Sequence, residues 1–379
     1  MAEGGVSLLC CGMRITIFCK VIDNLGDAGI AWRLARQLGA RGHAVCLLID
    51  DRATLQRLQE PVRRQALATA ADAPIDIITW RDDDDALAQA DADLWLETFA
   101  CGYGASVLPA LAKRRRPPRL INIDHLSAED WVGQYHGLPS PHPATGLHQT
   151  YWLPGYGTDS GGLLREPELL LQHRLWRSDA PGQERFLRAL GLERQPDELL
   201  VTLFCYPNAA LQGLLATLYE RPSHLLILGP GGDAAVGNIL AAPPQSGRRH
   251  GACHLHRLPL LHHQDYDRLL GLADFNIVRG EDSWVRAQWA ARPLLWQAYV
   301  QTEGAHLEKL EAWLQAQPMP ESARALHRRF NSGITPDTAA WQEIFAQSST
   351  LAAAAGAWRD HLSQQSDLVS RLLHHLDDA

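Results

Sequence analysis

RITIFCKVIDNLGDAGIAWRLARQL, residues 14–38, begins with a short apolar run, continues with a polar segment that contains glycines, and ends with apolar residues at helical spacing. Residues 15–21 are apolar and partly β-branched, which predicts a strand. Residues 23–29 predict a loop, and residues 30–38 predict a helix. A second apolar run at 44–49 completes a β-α-β unit, which predicts a parallel sheet.

The alternation of strands and helices continues and then restarts. Further strands are predicted at 75–79, 93–96 and 120–123, before a turn-rich crossing at 153–165. Beyond it, strands are predicted at 199–204, 224–228, 275–279 and 294–296, helices at 209–219 and 283–290, and a loop at 229–232. This pattern predicts an α/β protein with two Rossmann-like, doubly wound domains facing a central cleft. We expect an N-terminal domain at 13–155, a linker at 156–188, a C-terminal domain at 189–356, and a final helix at about 357–379 that packs back on the first domain.

Composition limits the classes of function. The 379 residues, 46% of them hydrophobic, suffice for two domains with separate cores. No apolar run approaches the roughly 18 residues of a membrane helix, and a formal charge of −8 argues against nucleic acid as a partner. The seven cysteines include no C-x-x-C pair, which indicates neither a disulfide framework nor a zinc site. The first residues lack a secretory pattern, so we expect a cytoplasmic protein that binds neither membranes nor nucleic acid.

The loop after the first predicted strand carries candidate site residues. Ligands of doubly wound sheets bind beyond the carboxyl ends of the strands, and Asp23, Asn24, Gly26 and Asp27 lie there. Two neighbouring carboxylates can act as a base and its orienting partner. Alternatively, Asp23 forms a turn and Asp27 caps the helix. The loop lacks a G-x-G-x-x-G pattern, which argues against a dinucleotide oxidoreductase.

A second candidate loop lies between the predicted strand at 275–279 and the helix at 283–290. It comprises Arg279, Gly280, Glu281, Asp282 and Ser283. A helix N-terminus offers free N–H groups and positive potential, which suits a diphosphate without a metal ion; alternatively, Asp282 or Ser283 is only the helix cap. Aromatic residues Phe204, Tyr206 and Tyr266 can form a slot for a nucleobase or belong to the core. The histidines show no metal-binding spacing, so no metal is predicted.

Four separated segments resemble the EarP family of arginine rhamnosyltransferases, which modify bacterial elongation factor P. They are FCKVIDNLGD at 18–27, LSAEDW at 126–131, HGLPS at 136–140 and NIVRGEDSWVRAQW at 276–289. The resemblance extends from about residue 13 through the final helices. It implies a GT-B glycosyltransferase in which dTDP-β-L-rhamnose binds mainly to the C-terminal domain. The acceptor arginine of elongation factor P would enter from the N-terminal side and become an inverted α-rhamnosyl arginine, with no cofactor expected.

The resemblance also implies roles for individual residues. Family catalytic carboxylates correspond to Asp23, Asp27 and Glu281, and donor contacts correspond to Phe204, Tyr206, Tyr266, Asp282 and Ser283. Asn24, Gly26, His263 and Arg279 complete the expected substrate-binding set. Two positions depart from the family pattern, because Leu260 replaces an aromatic residue and His263 replaces a glutamine beside the base slot. These departures bear on how thymine is recognised.

The chemistry of arginine suits a pair of carboxylates. A guanidinium is protonated at neutral pH and its lone pairs are delocalised, so it is a poor nucleophile. Two carboxylates can hold its planar fork and accept a proton as the new bond forms. We expect Asp27 to be the base, Asp23 to orient the guanidinium and Glu281 to organise the donor, with Asp23 and Asp27 exchanged as an alternative. Two other functions stay open: a GT-B transferase for another nucleotide sugar or acceptor, and a non-catalytic nucleotide-sugar-binding module.

Overall fold

Two mainly parallel β-sheets covered by helices make up the computed structural model, which describes residues 12–23, 25–59, 75–81 and 91–378. Its strands are β1 (Arg14–Cys19), β2 (Ala44–Ile49), β3 (Ile75–Thr79), β4 (Leu94–Thr98), β5 (Arg119–Ile123), β6 (Pro139–Pro141), β7 (His148–Trp152), β8 (Leu199–Leu203), β9 (Ser223–Leu228), β10 (Arg248–His250), β11 (Cys253–Leu258), β12 (Phe275–Arg279) and β13 (Leu294–Gln297). Its helices are α1 (Leu25–Ala40), α2 (Arg52–Gln59), α3 (Val107–Ala112), α4 (Trp131–Tyr135), α5 (Leu169–Ser178), α6 (Ala180–Ala189), α7 (Gln212–Tyr219), α8 (Gly229–Leu240), α9 (His263–Leu272), α10 (Glu281–Ala290), α11 (Ala305–Ala316), α12 (Glu321–Asn331), α13 (Thr338–Ala346), α14 (Ser348–Ser363) and α15 (Leu368–Asp378).

The first sheet, with its helices, forms what we call the first lobe. Its described strands have the order β3-β2-β1-β4-β5-β7-β6, and all neighbours are parallel except β6 and β7. In the register of this sheet, Ile15 of β1 lies opposite Val45 of β2 and Leu94 of β4. These central strands are nearly continuous apolar runs because helices cover both faces of the sheet.

The second sheet, with its helices, forms the second lobe. Its described strands have the order β10-β11-β9-β8-β12-β13, and only the β10–β11 pair is antiparallel. Segments that follow the carboxyl ends of β1 and β5 contact segments that follow β8 and β12. The ends at which ligands bind to doubly wound sheets therefore meet between the lobes. Within the described ranges, no helix is both long and apolar enough to cross a membrane.

The expected domain boundaries stay a prediction. The first sheet lies within residues 13–155 and the second within 189–356. The segment expected as a linker contains α5 and nearly all of α6. The segment from about residue 357, expected to hold the final helix, contains the end of α14 and then α15. Helix α15 packs on the first lobe through its apolar stripe, Leu368, Val369, Leu372 and Leu376.

Two predicted loops are helical in the structure, because glycines there serve close packing rather than a turn. Helix α1 begins at Leu25 instead of residue 30, so Gly29 lies inside it and faces α10. Residues 229–232, predicted as a loop, form the first turn of α8. A Cβ atom at Gly231 would lie 2.2 Å from the carbonyl oxygen of Cys205, so only glycine lets this helix start so close to the strand end.

Candidate active site

A cavity between the lobes brings most of the predicted site residues together. Its lining includes the predicted Asp23, Gly26, Phe204, His263, Tyr266, Arg279, Asp282 and Ser283, and also Arg33, Leu58, Leu260 and Leu261. The predicted residues Asp27, Tyr206 and Glu281 lie next to these in the chain or in space but are not part of the lining. Asn24 lies outside the described residues.

Asp23 of the first lobe is held by two side chains of the second lobe. Its Oδ1 lies 3.0 Å from Nη1 of Arg279, and its Oδ2 accepts a hydrogen bond of 2.8 Å from the hydroxyl of Tyr206. The Arg279 guanidinium in turn lies over the rings of Phe204 and Tyr206, 4.7 and 4.6 Å from their centroids. Burial raises the pKa of Asp23, and the charge of Arg279 offsets only part of that rise.

Asp27 organises the loop from behind Asp23. It lies in the first turn of α1 and is 6% exposed. Its Oδ2 accepts hydrogen bonds from the backbone N–H groups of Ile22 and Asp23, both at 2.8 Å. The N–H of Gly26 donates to the carbonyl oxygen of Asp23, which closes a turn. The structural roles foreseen for the two aspartates are therefore present: a turn at Asp23, and an Asp27 carboxylate that binds amides at the start of the helix.

Glu281 contacts the first lobe at a second point. Its Oε2 lies 3.2 Å from Nδ1 of His125 and 3.8 Å from Nζ of Lys309. The His125 ring stacks on Phe99, with 4.3 Å between centroids, and the backbone of Phe99 and Ala100 is left-handed, with φ of 58° and 50°. Burial acts to raise the pKa of Glu281, but the hydrogen bond with His125 and the charge of Lys309 prevail and lower it. No sequence pattern pointed to His125 or Lys309, because both act through a contact between distant segments.

The N-terminus of α10 faces the same cavity. The helix begins at Glu281 with Gly280 as its N-cap, so the expectation that Ser283 starts or caps the helix was wrong. Gly280 has φ 63° and ψ 179°, a conformation that glycine adopts easily and that turns the chain from β12 directly into the helix. The N–H groups of the first turn have no intrahelical partners and favour an anion. In the described part of the chain, no three His, Cys, Asp or Glu side chains are arranged to hold a metal ion.

Asp282 connects the lobes through buried ion pairs. Its Oδ1 lies 2.7 Å from Nε of Arg33, which is 2% exposed. Arg33 also reaches Asp267 and Glu166 at 3.3 Å, and Arg286 pairs with the same two carboxylates at 2.6–2.9 Å. The carboxylate of Asp282, expected to contact the donor, is thus already paired. Arg33 was not among the site residues predicted from the sequence. The signal that could have revealed it is a charged residue among the apolar positions of α1.

The predicted base slot is apolar with one polar group. The Phe204 and Tyr266 rings meet edge to face at 6.1 Å, and Leu260 lies near Phe204 beside Gly229. His263 is buried, and its Nε2 pairs with the guanidinium of Arg36. Burial and the charges of Arg33 and Arg36 lower the pKa of His263, which keeps the ring neutral. Its Nδ1 is buried and has no hydrogen-bond partner among the described residues.

Comparison with known proteins identifies the family. The family described as Elongation-Factor P (EF-P) rhamnosyltransferase EarP matches residues 15–377. A protein-arginine rhamnosyltransferase of Pseudomonas putida is 39% identical over 375 residues, which are 94% of this chain and 97% of that protein. A solved structure that gives the structural basis for EarP-mediated arginine glycosylation of translation elongation factor EF-P is 30% identical, with a TM-score of 0.67 over 97% of this chain and 99% of that one.

A more distant solved structure shows the fold alone. The glycosyltransferase SnogD from Streptomyces nogalater is 13% identical and has a TM-score of 0.50, covering 97% of this chain and 100% of that one. The two parallel sheets and their facing carboxyl ends agree with this architecture. The chain therefore belongs to the EarP family of arginine rhamnosyltransferases, and it is a glycosyltransferase with the GT-B fold.

Proposed function

We propose that the chain transfers L-rhamnose from dTDP-β-L-rhamnose to an arginine side chain of elongation factor P, with inversion, in the cytoplasm. The observation that carries the proposal is the cavity in which Asp23 of the first lobe faces Ser283 and the N-terminus of α10 in the second. A carboxylate for a guanidinium and a helix terminus for a diphosphate are the two groups that this reaction needs. The names of the relatives support rhamnose as the sugar and an arginine of elongation factor P as the acceptor.

The donor is proposed to bind to the second lobe. Its base would lie in the slot of Phe204, Leu260 and Tyr266, where the free Nδ1 of His263 can hydrogen-bond a thymine carbonyl. The diphosphate would take the N–H groups of the first turn of α10, with Ser283 and Arg279 beside it. These groups can stabilise the charge on the departing dTDP, so the proposal includes no metal ion or other cofactor.

The acceptor arginine is proposed to bind to Asp23 and Asp27. Asp23 already holds a guanidinium in this structure, that of Arg279, which supports its role in orienting the acceptor. Asp27 would take the proton while a guanidino nitrogen forms its bond to C1 of rhamnose and the bond from C1 to the diphosphate oxygen breaks. Glu281 would organise the donor from its position between His125 and Lys309. Exchange of the two aspartates stays the alternative; the raised pKa of Asp23 and its place in the cavity lining are the observations in its support.

The direct test is transfer by the purified chain. Incubation with elongation factor P and dTDP-β-L-rhamnose, with and without a chelator, is followed by intact mass measurement of the acceptor. One added deoxyhexose is expected in both samples, and it should disappear when the acceptor arginine is changed to lysine. UDP-glucose serves as the competing donor, because Leu260 and His263 depart from the family pattern. Absence of any rhamnose transfer, or equal transfer from UDP-glucose, would contradict the proposal.

Asp27→Asn tests the assignment of the base. It should retain the fold and lose transfer by at least about a hundredfold, the low end for removing a general base. Asp233→Asn, on the surface of the second lobe, is the matched control and should keep normal turnover. Near-normal turnover of Asp27→Asn together with a large loss in Asp23→Asn would instead assign the base to Asp23.

A further inference from the structure

Both oxygens of Asp23 already have a partner in the arrangement described. Oδ1 is paired with Arg279 and Oδ2 with the hydroxyl of Tyr206, so both acceptors of the carboxylate serve the second lobe. A second guanidinium approaching Asp23 would need these same oxygens, because a bidentate pair uses both of them. It would also meet the positive charge of Arg279 at close range. Arg279 and an acceptor arginine would therefore compete for this one carboxylate, whereas the buried guanidiniums of Arg33 and Arg286 share the carboxylates of Asp267 and Glu166.

Arg279 is placed to exchange Asp23 for a more highly charged partner. It is the last residue of β12, next to Gly280 and the first turn of α10. Among the described residues, its only ion pair is the one through Nη1 to Asp23, and the rings of Phe204 and Tyr206 otherwise hold its planar face. A guanidinium has five N–H donors, so several can turn to an anion at the helix terminus. A diphosphate carries more negative charge than one carboxylate and would compete well for them.

We infer that Arg279 occupies the acceptor's position on Asp23 and leaves it when a nucleotide diphosphate binds, so that the donor binds first and the acceptor arginine second. This inference rests on the proposed function and deepens it by assigning Arg279 as a positioning residue that sets the order of binding. The rings of Phe204 and Tyr206, over which the guanidinium lies, let it shift from Asp23 to the diphosphate while it keeps its aromatic contacts. The acceptor would thus bind tightly only to a site that already holds a nucleotide diphosphate.

The test is the affinity of the chain for elongation factor P, measured by calorimetry with and without saturating dTDP, which cannot donate a sugar. The wild-type chain should bind the acceptor at least about fivefold more tightly with dTDP, the lower range for coupling between sites. Arg279→Met, which keeps an unbranched side chain but removes the guanidinium and its charge, should bind the acceptor without dTDP as tightly as wild type does with it. In that variant, dTDP should change the affinity for elongation factor P by less than about twofold.

Two further variants separate this exchange from a structural effect. Tyr206→Phe removes the bond to Oδ2 and keeps the ring under Arg279, so acceptor affinity without dTDP should rise part of the way. Arg257→Met removes an exposed guanidinium that pairs with Asp233 outside the cavity, and it should leave the coupling at its wild-type size. The effect of dTDP on wild-type acceptor affinity and the acceptor affinity of Tyr206→Phe are both measured without Arg279→Met. The order of binding can therefore be tested even if Arg279→Met folds poorly.

The outcomes for the two proposals differ. Wild-type affinity that does not change with dTDP, while rhamnose transfer proceeds, would overturn the order of binding and leave the proposed function intact. Weaker acceptor binding by Arg279→Met would likewise overturn it, since it would show that Arg279 helps to hold the acceptor. If no rhamnose is transferred at all, the proposed function fails, and this inference fails with it.

Discussion

Gly280 shows how one residue brings the two halves of the site together. Its φ of 63° with ψ of 179° allows β12 to pass directly into α10. A Cβ atom at this position would lie 2.9 Å from Oδ2 of Asp23, closer than such contacts normally come. The absence of a side chain therefore lets Asp23 of the first lobe approach the helix terminus of the second.

Gly280→Ala should damage the site more than the fold. We expect a loss of about 1–3 kcal/mol in unfolding free energy from backbone strain and at least a tenfold loss of transfer, because Asp23 must move. Gly333→Ala is the control, since Gly333 also has a positive φ of 77° but no atom within 4 Å of the added methyl. It should lose stability without losing transfer. Equal transfer rates in the two variants would contradict this account; denaturant unfolding and initial rates provide the measurements.

At the scale of elements, α1 and α10 meet through another glycine. A Cβ atom at Gly29 of α1 would lie 3.0 Å from Oδ2 of Asp282, whose other oxygen binds Arg33 one turn further along α1. The spacing of the two helices and the ion pair therefore depend on each other. This contact explains why a helix contains a glycine that sequence patterns assign to a loop.

Gly29→Ala should separate these helices and cost about 1–3 kcal/mol in unfolding free energy, the range for overpacking a tight contact. Gly356→Ala in α14 has no atom within 4 Å of the new methyl, and it should raise stability by up to about 1 kcal/mol, because alanine is the better helix former. Opposite signs in denaturant unfolding are the expected result. Stabilisation by both substitutions would show that Asp282 has room to move.

A buried histidine links α12 to β13. Nδ1 of His327 bonds the carbonyl oxygen of Ala323 at 2.9 Å, and Nε2 accepts the N–H of Trp296 at 3.2 Å. This pairing places the proton on Nδ1 and requires a neutral ring. Burial lowers the pKa of His327 to about 4. A histidine with a lowered pKa in the folded state stabilises the fold above its unfolded pKa, and this contribution is lost as the pH falls toward 4.

As the pH falls from 7 to 5, the contribution of His327 to the free energy of unfolding should decrease by about 2 kcal/mol. The reason is that the ring gains a proton near pH 6.5 in the unfolded chain but stays neutral in the folded protein. His327→Gln should reduce the pH dependence by about that amount, although it will also be less stable at pH 7. The control is His374→Gln, at a side chain that is 79% exposed. An unchanged slope in His327→Gln would show that the buried ring takes up a proton without cost.

At the scale of the whole molecule, five charged side chains join the lobes, three of them buried and two partly buried. Arg33 comes from α1, Glu166 from the crossing, Asp267 from α9, and Asp282 and Arg286 from α10. Burial opposes ionisation of Asp267, but the charges of Arg286 and Arg33 prevail and its pKa is lowered. Each charge is costly to bury alone, so the group is stable only when all four segments are in place. The network therefore fixes how the lobes are placed around the cavity.

Asp267→Asn should cost about 3–5 kcal/mol of unfolding free energy, because it leaves two buried guanidiniums short of a carboxylate. Asp233→Asn removes a bidentate partner of Arg257 on the surface and should cost less than about 1 kcal/mol. Thermal or denaturant unfolding of both variants checks the contrast. Similar small losses in the two would mean that water reaches the network.

The sequence by itself determined the alternation of strands and helices, the two strand-to-helix junctions that carry the candidate residues, and the family. These depend on local periodicity, on turn residues and on short motifs, such as the segment around Asp23 and Asp27, and each can be recognised without knowing what lies beside it. Local signals failed where glycine served packing, at Gly29 and Gly231, because the partner that demands the glycine is distant in sequence.

Only the tertiary structure decided which charges meet. Asp23 with Arg279, Arg33 with Asp282, and His125 with Glu281 are separated by 156–256 positions in the chain. A charged residue has many possible partners in a sequence, and burial selects among them because an unpaired charge is tolerated only in water. The residues that carry the proposed chemistry were thus visible from the chain, whereas the pairing that controls access to Asp23 arose from folding the two lobes together.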